Sequence, residues 1–140
     1  METVIRAELS IKNKYYINKH RHYELKHFCL QYPEWKKTYI ELDGYGTGTN
    51  LDEDVVYRSN IPSDMTNRYV ERRLDCLEKM KMVEQAAIEA DPDLYPYILK
   101  AVTEELSFTY LKTKMNIPCG KDMYYDRFRR FFWILDKLRK

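Results

Sequence analysis

Apolar residues recur at steps of three and four along most of the chain, the period of an α-helix with one buried face. This pattern predicts a first helix over residues 20–31 and a second from Pro33 to about residue 43, since proline suits the first position of a helix. The apolar stripes of these two helices are Leu25, Phe28, Cys29, Tyr32, Trp35, Tyr39 and Leu42.

Residues 44–62 break the helical pattern and contain three of the four glycines. The stretch GYGTG at its start is similar to glycine-rich phosphate-binding loops. However, no lysine follows at the required spacing, and no strand precedes it. We therefore interpret residues 44–62 as a loop or linker.

A long helix is predicted over residues 64–90, with Ser63 as a candidate N-cap. It carries two apolar stripes, which consist of Val70, Leu74 and Leu77 in one, and Cys76, Met80, Val83, Ala87 and Ala90 in the other. Intramolecular core packing explains such stripes best. Homodimerisation through helix 64–90 is the alternative.

The last part of the chain is predicted to form three helices: residues 94–105, a short helix from residue 106, and a long helix over residues 120–139. The sequence Asp91-Pro92-Asp93 separates the first of these from the long central helix. Pro118 and Gly120 lie in the turn before the last helix, whose inward stripe is predicted to be Tyr124, Phe128, Phe131, Leu135 and Leu138.

A short helix, a turn and a long basic helix over residues 106–140 are typical of a helix-turn-helix that reads double-stranded DNA, with residues 119–130 as the binding segment. Its candidate base contacts are Lys121, Asp122, Tyr125, Asp126 and Arg129. Its candidate phosphate contacts are Lys112, Lys114, Arg127 and Arg130. An amphipathic helix with a solvated basic face is the alternative. Trp133 lies opposite the inward stripe, so we expect it to contact a dimer mate, RNA polymerase or the N-terminal helices.

The distribution of charge supports an anionic partner at this end of the chain. The net formal charge is only +2, but residues 100–140 hold ten basic and five acidic side chains, whereas residues 43–99 hold six and twelve. Three widely separated cysteines, no signal peptide and no long apolar run predict a soluble cytoplasmic protein without a membrane association.

The sequence HRHYELKHFC places His20, His22, His27 and Cys29 within ten residues. Each pair that shares a helical face is two turns apart, which is too far for both side chains to bind one metal ion. We therefore expect surface histidines and a buried thiol here, and no metal, cofactor or catalytic residues anywhere in the chain.

Two stretches, HYELKHFCLQYPEWKK and VEQAAIEADPDLYPYILKAVTEELSFTYLKTKMNIPCGKDMYYDRFRRFFWILDK, resemble small phage-encoded transcriptional regulators of the ArpU/RinA type. The end of the chain is also similar to the fourth region of bacterial sigma factors. The resemblance implies activation of late phage genes in a bacterial host by binding promoter DNA near RNA polymerase.

The sequence thus predicts an all-α protein with a sigma-region-4-like helix-turn-helix. We expect an N-terminal helical segment at 1–43, a linker at 44–62 and a helical domain at 63–140. The expected function is DNA-binding transcriptional regulation. The alternative is a helical interaction protein that binds RNA polymerase or another host factor without reading DNA.

Overall fold

The computed structural model describes residues 13–43 and 63–139, and every regular element in these ranges is a helix. In chain order they are α1 Lys19–Leu30, α2 Tyr32–Glu41, α3 Ser63–Ala90, α4 Tyr95–Glu104, α5 Phe108–Lys114 and α6 Lys121–Leu138. The predicted all-α class is confirmed, and the helix boundaries lie within two residues of those expected. The predicted linker at 44–62 lies outside the described residues, as does the side chain of Ser63.

The helices belong to two compact units, one formed by Tyr32–Lys81 and the other by Met1–Gln31 together with Met82–Lys140. This division differs from the one expected from the sequence, which kept residues 1–43 together. The physical reason is that α1 packs on α4 and α6, so it shares a core with the C-terminal part of the chain.

Helix α6 supplies the largest apolar side chains of the discontinuous unit. Phe131 and Leu135 are fully buried in it, as are Leu25 of α1 and Ile98 of α4. The end of α3 contributes small residues, with Val83, Ala86, Ala87 and Ala90 all buried. Small side chains allow a neighbouring helix to approach closely.

Ion pairs from α1 add polar contacts within the same unit. The Nε atom of Arg21 donates to Asp136 near the end of α6 at 2.6 Å, and Lys26 lies 3.2 Å from Glu105. The guanidinium of Arg139 lies 3.9 Å from the centre of the Phe28 ring. The residues Arg21 and Asp136 are more than one hundred positions apart in the sequence.

In the other unit, Arg73 of α3 binds the C-terminal end of α2. Its guanidinium lies 3.8 Å from the centre of the Tyr39 ring and donates to the Tyr39 carbonyl at 3.1 Å and to Asp43 at 2.9 Å. A buried arginine is tolerated because its donors are satisfied and its charge is paired. The cation also suits the end of a helix, where unpaired carbonyl groups carry partial negative charge.

The two apolar stripes of α3 differ in burial. Cys76, Met80, Val83, Ala87 and Ala90 are all buried, as intramolecular packing predicts. Leu74 of the first stripe is 46% exposed, and its neighbours Val70 and Leu77 are partly exposed. Burial of the second stripe agrees with core packing, while homodimerisation through helix 64–90 stays a prediction. None of the described helices is long and apolar enough to cross a membrane.

Candidate nucleic-acid interface

Helix α5 is short and is held on α6 by aromatic packing. Its N-cap Ser107 accepts a hydrogen bond from the Tyr110 amide at 3.2 Å, which satisfies one of the free donors of the first turn. Leu111 is fully buried, and the Phe108 ring lies 5.4 Å from the Tyr124 ring of α6. These contacts fix α5 against the first turns of α6.

The turn between α5 and α6 contains the features that its sequence predicts. Asn116 has a φ of 54°, the left-handed conformation that asparagine tolerates better than most residues. Ile117 is 1% exposed, and its amide donates to the Leu111 carbonyl at 3.1 Å. Ile117 therefore anchors the turn to α5 through both its side chain and its backbone.

The N-terminus of α6 faces open space. Gly120 is the N-cap and provides no side-chain hydrogen bond, and a Cβ atom built on it would have no neighbour within 4 Å. The next two residues, Lys121 and Asp122, are exposed. The first amides of an uncapped helix carry partial positive charge and can donate to an anion.

Most of the predicted inward stripe of α6 is confirmed, since Tyr124, Phe128, Phe131 and Leu135 are buried and Leu138 is partly exposed. However, Tyr125, Phe132 and Ile134 are buried as well. The expectation that Tyr125 is exposed and faces DNA is wrong, because its side chain is 6% exposed and its ring packs near Phe108.

The N-terminal segment, residues 13–18, covers part of the polar face of α6. The Tyr15 ring lies 5.5 Å from the Trp133 ring, so Trp133 contacts the N-terminal part of its own unit, one of the three contacts expected for it. Tyr15, Ile17, His22 and Phe132 surround Arg129, whose Nε atom is buried and has no hydrogen-bond partner in the described structure. The residue as a whole is partly exposed, and the base contact by Arg129 stays a prediction.

Arg127 and Asp126 form a network with Asp91, the residue that follows α3. The Nε atom of Arg127 donates to Asp91 Oδ2 at 3.0 Å, and Nη1 donates to Asp126. The same Asp91 accepts from the amides of Asp93 at 2.8 Å and Leu94 at 3.1 Å through Oδ1. Arg127 thus connects α6 to the start of α4, which weakens its case as a phosphate contact.

Arg130 also has partners within the fold. Its Nη1 atom donates to the Tyr15 hydroxyl at 3.2 Å, and its Nε atom lies 3.4 Å from the Glu89 carbonyl at the end of α3. A cation beside the last carbonyl groups of a helix is favoured by the partial negative charge there. Arg130 is partly buried and is shared between α6, α3 and the N-terminal segment.

Four of the nine predicted site residues are exposed: Lys112, Lys114, Lys121 and Asp122. The three lysines pair with no carboxylate in the described part of the chain. The structure adds Tyr110, 42% exposed on α5, and Met123, 44% exposed on the first turn of α6. Tyr110 lies outside the apolar stripe of α5, and this position in the sequence predicts that it is exposed.

The turn brings Lys112, Arg127 and Asp91 near Cys119. Burial raises the pKa of the Cys119 thiol, Lys112 and Arg127 oppose this rise, and Asp91 adds to it. The thiol therefore stays protonated at neutral pH.

The histidine cluster of α1 does not form a joint site. Cys29 and His22 are buried, the latter with its ring 4.7 Å from the Phe132 ring, whereas His20 and His27 are exposed. The expectation that all three histidines lie on the surface is wrong for His22, because it faces α6. Across the described residues, no three side chains of the types that bind metals are grouped.

No family model, curated protein or solved structure matches this chain. The resemblance to ArpU/RinA-type regulators therefore stays a prediction.

Proposed function

We propose that the protein binds double-stranded DNA through α5, the following turn and the first two turns of α6, and that it regulates transcription. The observation that carries this proposal is a set of exposed lysines, Lys112 and Lys114 on α5 and Lys121 at the start of α6, none of which forms an ion pair within the described residues. In helix-turn-helix proteins the N-terminal residues of the second helix contact base edges.

The packing of α6 suits this role. Its inward face is buried from Tyr124 to Leu135, so the helix is rigidly held while residues 121–123 project into solvent. We assign base contacts to Lys121 and Asp122, because a lysine can donate to guanine and a carboxylate can accept from cytosine. Asp126 binds Arg127 and takes a structural role. We assign phosphate contacts to Lys112 and Lys114.

The other predicted contacts take a structural role in this proposal. Tyr125 packs in the core, Arg129 lies against the N-terminal segment, and Arg127 and Arg130 bind groups within the fold. Activation of late phage genes, beside RNA polymerase and in the bacterial cytoplasm, follows from the ArpU/RinA resemblance and belongs to the proposal.

The test replaces Lys112, Lys114 and Lys121 with glutamine and measures binding to a mixed-sequence duplex at several salt concentrations. Each lost phosphate contact flattens the dependence of log K on log salt by about 0.9, so the loss of Lys112 and Lys114 should remove about 1.8 from the slope.

The matched control replaces Lys26, Lys79 and Lys100 with glutamine. These lysines are paired with Glu105, Asp75 and Glu104 at 3.0–3.2 Å, so the control changes net charge equally without touching the proposed interface. Equal slopes for the two triple variants would contradict DNA binding through α5 and α6.

A helical interaction protein is the second candidate function, and the observation that favours it is the uncovered stripe around Leu74. Deleting residues 106–140 would not separate the two functions, because α6 forms the core of its unit. Selection of bound sequences from random duplex DNA does separate them. A recovered motif supports DNA reading, and a palindromic motif also supports a homodimer, since half-sites mirror protein symmetry.

A further inference from the structure

Two lysines, Lys137 on α6 and Lys14 in the N-terminal segment, are held by aromatic rings instead of carboxylates. The Nζ atom of Lys137 lies 3.5 Å from the centre of the Trp133 ring, and the Nζ atom of Lys14 lies 5.1 Å from the centre of the Tyr15 ring. The two rings contact each other, and Arg130 binds the Tyr15 hydroxyl. We call Lys14, Tyr15, Arg130, Trp133 and Lys137 the aromatic–lysine cluster.

The cluster keeps its positive charge. An aromatic ring attracts a cation through its quadrupole but carries no net charge, so it positions an ammonium group without neutralising it. Neither Lys14, Arg130 nor Lys137 forms an ion pair with a carboxylate in the described residues. Both lysines are exposed and can still donate to an anion.

The neighbouring carboxylates are already engaged elsewhere. Asp136, which precedes Lys137, accepts from Arg21 at 2.6 Å, and Glu89 accepts from Gln85 at 2.6 Å. Within the described residues, none of the three cations of the cluster forms an ion pair with these carboxylates. A surface of this kind fits a partner with closely spaced negative charges.

The position of the cluster on α6 indicates which partner. Trp133 and Lys137 share a helical face with Asp122 and Asp126, because these residues follow one another at steps of four, seven and four. Lys137 lies about 16 Å beyond Asp126 along the axis at about 1.5 Å per residue. The major groove is about 12 Å wide. If the first turns of α6 lie in the groove, the Lys137 end of the helix therefore lies over the DNA strand that borders it.

We propose that the aromatic–lysine cluster is a second contact with DNA, in which Lys14 and Lys137 bind phosphates of the strand that borders the groove. The inference rests on the proposed function and extends it. It makes the N-terminal segment, which is more than one hundred residues from α6 in sequence, a part of the same interface.

The test is the double variant Lys14→Gln with Lys137→Gln in the full chain, titrated with a mixed-sequence duplex over a range of salt concentrations. Loss of two phosphate contacts should flatten the slope of log K against log salt by about 1.8 and weaken binding to all sequences alike. The control, Lys26→Gln with Lys100→Gln, removes the same charge from paired lysines and should leave the slope close to that of the unaltered protein.

An unchanged slope in the double variant would overturn the inference while leaving binding through α5 and α6 intact. A double variant that loses binding to polyglutamate but keeps the DNA slope would assign the cluster to an acidic polypeptide and also overturn it. An unaltered chain that shows no salt-dependent duplex binding would overturn the proposed function itself, and this inference with it.

Discussion

Tyr124 keeps a hydroxyl group in the core of its unit without a hydrogen-bond partner in the described structure. The residue is 1% exposed, and its ring packs on Phe108, Tyr125 and Phe128. Burial raises the pKa of the Tyr124 phenol, with smaller contributions from Tyr125 and Cys119. The aromatic ring stabilises the core, whereas the unpaired hydroxyl works against it, because burying a polar group without a partner costs free energy.

We therefore expect Tyr124→Phe to raise the free energy of unfolding by about 1 kcal/mol, since it removes the unpaired hydroxyl and keeps the ring. Urea denaturation followed by circular dichroism measures the change. The matched control is Tyr15→Phe, which removes a hydroxyl bonded to Arg130 at 3.2 Å and should lower stability by about 1 kcal/mol. Destabilisation by Tyr124→Phe would show that its hydroxyl has a partner.

At the scale of elements, Asp91 joins three helices. It follows the last residue of α3, its carboxylate accepts from two amides at the start of α4, and it accepts from Arg127 of α6. Burial alone would raise the pKa of Asp91, but hydrogen bonds from Leu94, Arg127 and Asp93 outweigh burial and lower it below its ordinary value of 3.8. The folded state therefore favours the ionised carboxylate.

The lowered pKa of Asp91 determines how the stability of the fold changes with pH. A carboxyl group whose pKa is lower in the folded state stabilises the protein above its unfolded pKa, and this contribution is lost as the pH falls. We expect Asp91→Asn to lower the free energy of unfolding by about 1–2 kcal/mol at pH 7, because the amide can still accept from α4 but no longer carries the charge that binds Arg127.

The difference between Asp91→Asn and the unaltered protein should shrink between about pH 5 and pH 2, where the carboxylate becomes protonated. Urea denaturation at several pH values checks this. Asp93→Asn is the control, because the Asp93 side chain is exposed. A difference that stays constant down to pH 2 would show that the charge of Asp91 does not stabilise the fold.

Periodicity predicted the inward stripe of α6 because a helix with one buried face repeats its apolar residues every three or four positions. It did not predict the burial of Tyr125 and Phe132. Tyr125 is covered by Phe108 of α5, and Phe132 by His22 of α1. Both contacts depend on where α5 and α1 pack, and the local sequence pattern does not determine this.

The same limit applies to the candidate site. The exposed lysines of α5 and α6 were identified by their charge and position, since local sequence decides whether a lysine lies off the apolar stripe. The positions of Arg129 and Arg130 depend on Tyr15, which lies 115 residues before Arg130. A pairing of this separation leaves no periodic signal in a single sequence, so the arginines were assigned to DNA on charge alone.

For the whole molecule, the discontinuous unit depends on contacts between the two ends of the chain. Leu25, Phe28 and Cys29 of α1 are buried in the same unit as Phe131 of α6. Burial raises the pKa of the Cys29 thiol, and Arg139 opposes the rise. Cys29 is fully buried, so it can react with a thiol reagent only after this part of the unit opens.

We expect Phe131→Ala to accelerate thiol labelling of Cys29 at least about a hundredfold, because loss of a buried phenylalanine costs about 3–5 kcal/mol. The measurement uses a chain in which Cys76 and Cys119 are replaced with serine, so that Cys29 is the remaining thiol. The control is Leu74→Ala, which alters an exposed side chain of the other unit. Equal labelling rates in the two variants would show that α1 opens independently of α6.

The extensive burial of α6 limits how much sequence information one chain could read. If the helix enters the major groove, its base contacts are Lys121 and Asp122, which corresponds to a recognition site of about two base pairs at roughly 1–3 kcal/mol for each wrong pair. A recognition site of this length recurs throughout any genome. Selectivity for one promoter would then require an assembly, in which a second copy of the chain or RNA polymerase makes the remaining sequence-specific contacts with DNA.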